Sequence, residues 1–293
     1  MTHIDNQQVS NTHSLTVGEF TVTSILDSFL PFPSELLTGI TTDEIRRAQT
    51  RSARGETAWV TINCFLVEHV DRKILIDTGF GPPHGPNRGR LPAELKALGL
   101  AASDITHVLF THLHADHAGG AVTESGDLTF PFAEMVAHHA ERDFWFGSDN
   151  AGDNPLHAEQ WRSARRLLPY QDRIHWVAPG VVFSGIELVH LPGHTPGHAG
   201  FRLTSGKESL LIWGDVVHQP QIQFDQPSVA VAFDVKPDEA VATRRALFTE
   251  LASTHEVVAG MHTDFPAFGR VKKNEDGTFS FVPRLWSPVL QSV

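Results

Sequence analysis

Short apolar segments rich in valine, isoleucine and phenylalanine recur along the chain, and most are bounded by aspartate, glycine or proline. Segments of this length and composition are typical of β-strands. The predicted strands cover residues 19–26, 59–68, 73–76, 105–110, 135–137, 186–191, 209–213, 256–259, 269–273 and 278–282. The last two flank Asn274-Glu275-Asp276-Gly277, which predicts a hairpin turn.

Helical patterns lie between these strands. The predicted helices cover residues 92–98, 140–146, 157–168 and 237–252. The last has the strongest pattern, because Pro237 suits a first turn and apolar residues recur at Val241, Leu247, Phe248 and Leu251. Polar residues with candidate chemistry follow the ends of several strands. This order of elements predicts a mixed α/β sandwich.

The polar N-terminus predicts a flexible arm over residues 1–15, followed by a single domain over residues 16–293. The terminus has no basic segment followed by an apolar one, so it does not resemble a signal peptide. No apolar run approaches the ~18 residues that a transmembrane helix needs. We therefore expect a cytoplasmic protein that does not bind membranes.

Composition changes this picture in two ways. The chain has 23 Lys and Arg against 34 Asp and Glu, a net charge of −11 without a basic run, which disfavours nucleic acids and anionic membranes as partners. The single cysteine, Cys64, allows no intrachain disulfide, and its place within an apolar strand favours a core position over a nucleophile. The 18 histidines, in contrast, suggest a metal site or acid–base chemistry.

Four ligand-type side chains fall within six residues directly after the strand predicted at 105–110. They are His112, His114, Asp116 and His117. In an extended segment the first two point to the same side, and the others follow in a turn or a helix start. Such crowding is costly unless a cation binds the side chains. The alternative is a solvated histidine-rich loop, which the preceding buried strand and the following Ala-Gly-Gly turn disfavour.

Three more ligand-type residues, His194, Asp215 and His262, each follow a predicted strand. A lone histidine at a strand end is more often structural, but the set joined to the first cluster indicates a metal centre. The complete pattern resembles the metallo-β-lactamase-fold hydrolases over roughly residues 20–282. That resemblance implies an αββα sandwich with mixed sheets, flanking helices and two metals at one edge.

The resemblance also implies roles for individual residues. It assigns His112, His114 and His194 to the first metal, Asp116, His117 and His262 to the second, and Asp215 to both. Asp77 matches the family's buried aspartate, which orients ligands. A turn-forming role is its alternative. Ligands of this kind suit two Zn²⁺ ions, with Mn²⁺, Fe²⁺ and Co²⁺ as alternatives.

A closer similarity, to the methyl-parathion-hydrolase-type enzymes, rests on residues 143–145, 193–198, 223–228, 265–269 and 281–283. It implies a hydrolase of lactones or aryl esters acting through metal-bound hydroxide, with possible phosphotriesterase activity, and a homodimer. The alternatives are a dedicated organophosphate triesterase and a glyoxalase-II-like thioesterase. A nuclease, a redox scaffold and a true β-lactamase fit less well.

Asp116 and His218 are the candidate catalytic side chains. In related lactonases a tyrosine occupies the position of His218 and helps to hold the lactone, so His218 is either a donor to substrate or a packed residue. His198 is expected outside the ligand set. The predicted walls of an apolar cleft for a small uncharged ester or lactone are Phe144, Trp145, Phe224, Phe265 and Phe268.

Overall fold

The strands of the computed structural model form two seven-stranded sheets and a two-stranded ribbon. The structure describes residues 11–53, 55, 57–81, 87–147 and 153–293. The strands are β1 (Thr12–Val17), β2 (Phe20–Pro31), β3 (Leu37–Thr38), β4 (Trp59–His69), β5 (Arg72–Ile76), β6 (His107–Leu109), β7 (Glu134–His138), β8 (Ile174–Val177), β9 (Gly180–Phe183), β10 (Ile186–His190), β11 (Ala199–Ser205), β12 (Glu208–Ile212), β13 (Ala230–Val231), β14 (Val257–Ala259), β15 (Gly269–Lys273) and β16 (Phe279–Pro283).

The α-helices are shorter and lie mostly between strands. They are α1 (Thr42–Arg51), α2 (Leu91–Ala97), α3 (Ala115–Ala118), α4 (His139–Phe146), α5 (Pro155–Ala164), α6 (Pro220–Gln223) and α7 (Pro237–Thr254). The first sheet has the order β1-β2-β4-β5-β6-β7-β8 and the second the order β16-β15-β14-β12-β11-β10-β9.

Alternating side chains divide between two sides of each sheet. In β5, Ile74 and Ile76 face the second sheet, whereas Leu75 faces the helices. In β12, Ile212 belongs to the core between the sheets and Leu211 to the layer under α7. Because both faces of each sheet are covered, the layers are helix, sheet, sheet and helix. The predicted αββα sandwich with mixed sheets is confirmed.

The predicted N-terminal arm is wrong over its last four residues. Residues 12–15 lie in β1, which pairs with β2 in antiparallel register. Leu15 and Val17 are buried in the core between the sheets, and this burial orders the strand. Residues 1–10 of the predicted arm lie outside the described residues.

The helix predicted at 157–168 begins earlier and ends earlier. Asn154 accepts hydrogen bonds from the amides of Leu156 and His157, so the helix starts at Pro155. The chain then tightens into a 3₁₀ segment, Arg165–Arg173, which contains Pro169. Helix α1 had no prediction, although Thr41 and Glu44 form a capping box at its start.

Parallel pairing puts several strand ends at one edge of the molecule. Strands β5, β6, β7 and β8 are parallel neighbours, and so are β12 and β14. Side chains that follow β5, β6, β12 and β14 are therefore brought to that edge, where sites in α/β sheets commonly form. Among the described residues, no helix combines the length and the apolarity required to cross a bilayer.

Candidate metal centre

One carboxylate oxygen, Oδ2 of Asp215, lies at the middle of the centre. Five imidazole Nε2 atoms surround it: His262 at 3.0 Å, His117 and His218 at 3.2 Å, His194 at 3.3 Å and His112 at 3.8 Å. Asp116 joins from one side, with its Oδ2 3.4 Å from His262 Nε2 and 3.5 Å from His117 Nε2. The structure thus brings all seven expected ligands together, and His218 with them.

The loop after β6 carries His112, His114, Asp116 and His117. His114 is the residue before the single-turn helix α3, so the loop changes from extended to helical between His114 and Asp116. Gly120 then passes so close to the loop after β5 that a Cβ would lie 2.0 Å from the Thr78 carbonyl oxygen. Thr78 donates to the His117 carbonyl through its amide at 2.7 Å and its hydroxyl at 2.8 Å, which fixes the two loops together.

Outer partners aim the imidazoles at the centre by binding their Nδ1 atoms. Asp77 Oδ2 is 2.7 Å from His117 Nδ1, and Asp234 Oδ1 is 2.8 Å from His194 Nδ1. The Thr61 carbonyl takes the same place for His262, at 2.8 Å. For His112, the outer partner is Thr111, whose Oγ1 lies 3.1 Å from Nδ1. With Nδ1 occupied, the Nε2 atom of each ring remains for a metal.

Two residues depart from this pattern. His114 directs Nδ1 inward, 3.0 Å from His194 Nε2. His198 does not face the centre: its Nδ1 donates to the Leu191 carbonyl at 2.6 Å, and its Nε2 accepts from the Asp215 amide at 2.8 Å. Burial lowers the pKa of His198 to about 3, so the ring is neutral and holds the backbone of Asp215.

The pKa values of the histidines shift in opposite directions in the metal-free chain. Burial lowers the pKa of His112 and His114 well below its ordinary value. The carboxylates outweigh burial at three other rings: Asp215 and its neighbours raise the pKa of His117 and His262, and Asp215 with Asp234 raises that of His194 to about 9. Burial thus favours the neutral form of His112 and His114, whereas the carboxylates favour positive charge on the rings around Asp215.

The arrangement fits metal ions by donor type and by spacing. Four overlapping sets have their ligand atoms within 4.8 Å of one another: His112, His114 and His194; His112, His117 and Asp215; Asp116, His117 and His262; and His194, Asp215 and His218. His112 Nε2, His117 Nε2 and Asp215 Oδ1 are buried and make no hydrogen bond with any described residue. Buried polar atoms without partners are costly, and a bound cation would satisfy them. We call His112, His114 and His194 the first group, and Asp116, His117 and His262 the second group.

Comparison with known proteins agrees with this geometry. Residues 57–262 match the family model described as the metallo-beta-lactamase superfamily. The chain belongs to the metallo-beta-lactamase superfamily. The match contains the first group and the second group entirely, together with Asp215.

Relatives in the superfamily include enzymes and solved structures. A probable metallo-hydrolase of Mycobacterium tuberculosis is 28% identical over 187 residues, 52% of this chain and 56% of the relative. An N-acyl homoserine lactonase of a Bacillus species is 26% identical over 177 residues, 54% of this chain and 64% of the relative. The chain thus spans less than two thirds of either relative. The structure of hydrolase AbOPH, from the beta lactamase superfamily, matches with a TM-score of 0.89 at 27% identity, over 96% of this chain and all of that chain. AidC, a dizinc quorum-quenching lactonase, matches in fold with a TM-score of 0.87 at 24% identity, also over 96% and 100% of the two chains.

A cavity of about 240 Å³ opens onto the centre. Its apolar walls are Leu30, Phe32, Leu36, Val60, Ile62, Phe80, Leu156 and Phe233. Asp116, His194, Asp215, His218 and His262 also line it. The end of β2 with the segment after it and strand β4 supply five of these residues, and the loop after β5, helix α5 and the segment after β13 supply one each.

The five aromatic residues predicted for the cleft lie elsewhere, which corrects that prediction. Phe144 lines a neighbouring cavity, and Trp145 is fully buried behind His114, with ring centroids 5.6 Å apart. Phe224, Phe265 and Phe268 line a separate cavity. Packing explains part of this, because Phe224 stacks on Phe248 of α7 at 4.7 Å and Phe268 belongs to the core between the sheets.

Two buried carboxylates at the site were not predicted. Asp234 binds His194. Glu141 binds two loops, the one that carries His112 and His114 and the one that carries His194. Asp234 lies just upstream of α7, and Glu141 lies within α4. No local spacing connects Asp234 with His194, 40 residues away, or Glu141 with Leu113 and Gly197, 28 and 56 residues away.

Proposed function

We propose that this chain is a hydrolase that uses two divalent metal ions to open lactones or to cleave uncharged carboxylic esters. The observation that carries the proposal is the position of Asp215 Oδ2 among five imidazole nitrogens, at the floor of an apolar cavity. The first group would hold one metal, the second group the other, and Asp215 both. The buried atoms that lack partners and the all-nitrogen and oxygen donor set support this assignment.

When bound, such a pair acidifies water and polarises a carbonyl or phosphoryl oxygen. The remaining tasks belong to the chain. Asp116 and Asp215 offset part of the charge of two divalent ions, leaving a centre of net positive charge that stabilises an anionic transition state. Asp77, Asp234 and the Thr61 carbonyl keep three imidazoles oriented during turnover.

His218 is the histidine of the centre placed to contact substrate. It lines the cavity, and its ring lies 4.9 Å from both His194 and His262, between the two groups. Its Nδ1 makes no hydrogen bond with the described residues, so no outer partner fixes the ring as in a permanent ligand. Burial lowers the pKa of His218 to about 4, and the neutral ring can donate one hydrogen bond to a carbonyl or leaving oxygen.

The cavity supports an uncharged substrate with an apolar substituent. Arg88 is the only lysine or arginine among its described lining residues, and Arg88 lies over the Phe80 ring at 3.9 Å. A glutathione thioester brings two carboxylates, for which these walls provide little compensation, so thioester hydrolysis is disfavoured. The relation to an N-acyl homoserine lactonase and the fold of a dizinc lactonase support the lactone reading.

A phosphotriester is the second candidate substrate. The apolar walls of the cavity have room for neutral substituents, and the same metal centre would serve both reactions. The two substrates differ in what they require of His218, because an aryloxide leaves as a stable anion and an alkoxide does not. Variation of His218 therefore separates the two candidates.

The test is a panel of substrates on metal-reconstituted protein: γ- and δ-lactones with and without an apolar chain, aryl esters, a phosphotriester and a thioester. We expect the highest kcat/KM with a lactone or ester that carries an apolar chain. A phosphotriester rate above every lactone and ester would favour the second candidate. Absence of turnover with the entire panel by protein that holds its metals would contradict the proposal.

A further inference from the structure

Glu141 lies in the first turn of α4, and its side chain is fully buried. Its Oε2 accepts hydrogen bonds from the Leu113 amide at 2.9 Å and from the Trp145 Nε1 at 2.8 Å. Its Oε1 accepts from the Thr195 hydroxyl at 2.5 Å and from the Gly197 amide at 2.9 Å. Each oxygen accepts two hydrogen bonds, so the carboxylate is fully used within the protein.

Three of these four donors belong to the loops that carry the first group. Leu113 lies between His112 and His114, and Thr195 directly follows His194. The two loops come from different sheets, and their ligands are 80 residues apart in sequence. One buried side chain therefore links the backbone of the first loop to that of the second, while the second group contributes none of its four donors.

We propose that Glu141 is a positioning residue that sets the spacing of the three imidazoles of the first group, and that the metal held by that group depends on it selectively. The proposal rests on the two-metal centre of the proposed function, but not on the identity of the substrate. Glu141 is not among the residues that line the cavity, so it does not contact substrate and takes no direct part in hydrolysis.

The chemistry of the four donors requires a carboxylate. A glutamine could retain the bonds from Leu113 and Trp145 through its oxygen. Its NH₂ group would then face Thr195, whose hydroxyl can turn to accept, and the Gly197 amide, which cannot. The opposite orientation places NH₂ against two fixed N–H donors. Even in the first orientation, therefore, the glutamine NH₂ group faces the Gly197 N–H, so two donors oppose each other in the loop of His194.

The test is Glu141→Gln, with the affinity of each metal measured by titration against a chromophoric chelator. We expect one metal to bind about 10–100-fold more weakly, the usual effect of losing an outer partner, and the other to bind as in the unchanged protein. Anomalous diffraction from crystals of the one-metal form should place the retained ion at the second group. Circular dichroism before titration shows whether the variant is folded.

Asp27→Asn is the matched control. Asp27 is also a fully buried carboxylate and accepts from the Phe80 and Leu91 amides at 3.2 and 3.0 Å, but it contacts neither ligand loop. This variant should keep both metal affinities. If Glu141→Gln does not fold, Thr195→Val removes one bond to the same carboxylate and should weaken the same metal several-fold.

Unchanged affinity for both metals, or equal weakening of both, in folded Glu141→Gln overturns the proposal. Where that variant is unfolded, unchanged affinities in Thr195→Val have the same consequence. A wild-type protein that binds two metals but hydrolyses no lactone or ester would contradict the proposed function alone, since every readout here is metal binding.

Discussion

The first and second groups of the metal centre are built by different means. The first consists of three imidazoles from two loops, held in place by the buried carboxylates Glu141 and Asp234. The second contains a carboxylate of its own, Asp116, and is held by Asp77 and a backbone carbonyl. Thr111 connects the two sides, because its hydroxyl donates to Asp77 at 2.7 Å and lies 3.1 Å from His112 Nδ1, and Asp215 belongs to both groups. The comparison predicts that replacing the outer partner of one group weakens that group's metal more than the other, whereas replacing Asp215 affects both.

The largest effect is expected from Asp215→Ala, because Oδ2 of Asp215 lies within 3.3 Å of ligand nitrogens from both groups. Both metals should be lost from purified protein, and hydrolysis should fall below detection. The sandwich itself should remain folded, since Asp215 is not part of its hydrophobic core clusters. Metal analysis and circular dichroism check these expectations, and near-normal turnover by the variant would refute the bridging role.

His218 lies between the groups, so its replacement tests whether a residue of the centre can act on substrate without holding metal. His218→Leu should lower kcat/KM for lactones by about 10²–10³, the range for one lost oxyanion donor, with both metals retained. Phosphotriester turnover should stay equal or rise. A constant ratio of the two rates across wild type and variant would assign His218 to packing.

Asp77→Asn and Asp234→Asn form a pair that separates the groups. Each removes the carboxylate behind one histidine, His117 or His194. Each should weaken one metal by about 10–100-fold, the second group's metal in the Asp77 variant and the first group's in the Asp234 variant. Titration with anomalous diffraction identifies the metal concerned, and loss of the same metal from both variants would contradict the division.

Proton release on metal binding is a smaller effect with a defined sign. In the metal-free chain Asp215 and Asp234 raise the pKa of His194 to about 9, so this ring carries a proton at pH 7, and Asp215 also raises the pKa of His117 and His262. A metal requires neutral imidazole, so binding at pH 7 must release protons. Calorimetry in buffers of different ionisation enthalpy measures the number, and a value of zero would be inconsistent with these pKa shifts.

The same shift has a consequence for stability. A folded-state pKa above the unfolded value means that His194 stabilises the metal-free fold below about pH 6.5, and that this contribution is lost as the pH rises through about 9. Denaturant unfolding of metal-free protein should show a decline over that range. The metal-bound protein, in which the ring is already neutral, should lack this component.

Sequence reasoning was most successful where the chemistry is local. His112, His114, Asp116 and His117 lie within six residues, and a strand of clear apolar pattern precedes them. His194, Asp215 and His262 carry weaker signals individually, and their order along the chain made them recognisable as a set. All seven converge on one centre in the structure.

Asp77 was expected to orient ligands and lies 2.7 Å from His117 Nδ1, but the other outer partners and the cavity could not be predicted in this way. Glu141 meets Thr195 and Gly197 because the two sheets pack together. Asp234 meets His194 from the segment after β13, and no local spacing in the sequence indicates either contact. Trp145, Phe224 and Phe268 proved to be core residues, whereas Phe80 and Phe233 line the cavity. Aromatic composition does not distinguish the two places, because both are apolar.

The measurement that tests the account most directly is the metal content of active protein. Protein purified without chelator and assayed for lactone hydrolysis should approach two divalent ions per chain by elemental analysis, and activity should rise with the second ion. A preparation that holds one ion per chain and has full activity would contradict the two-metal centre.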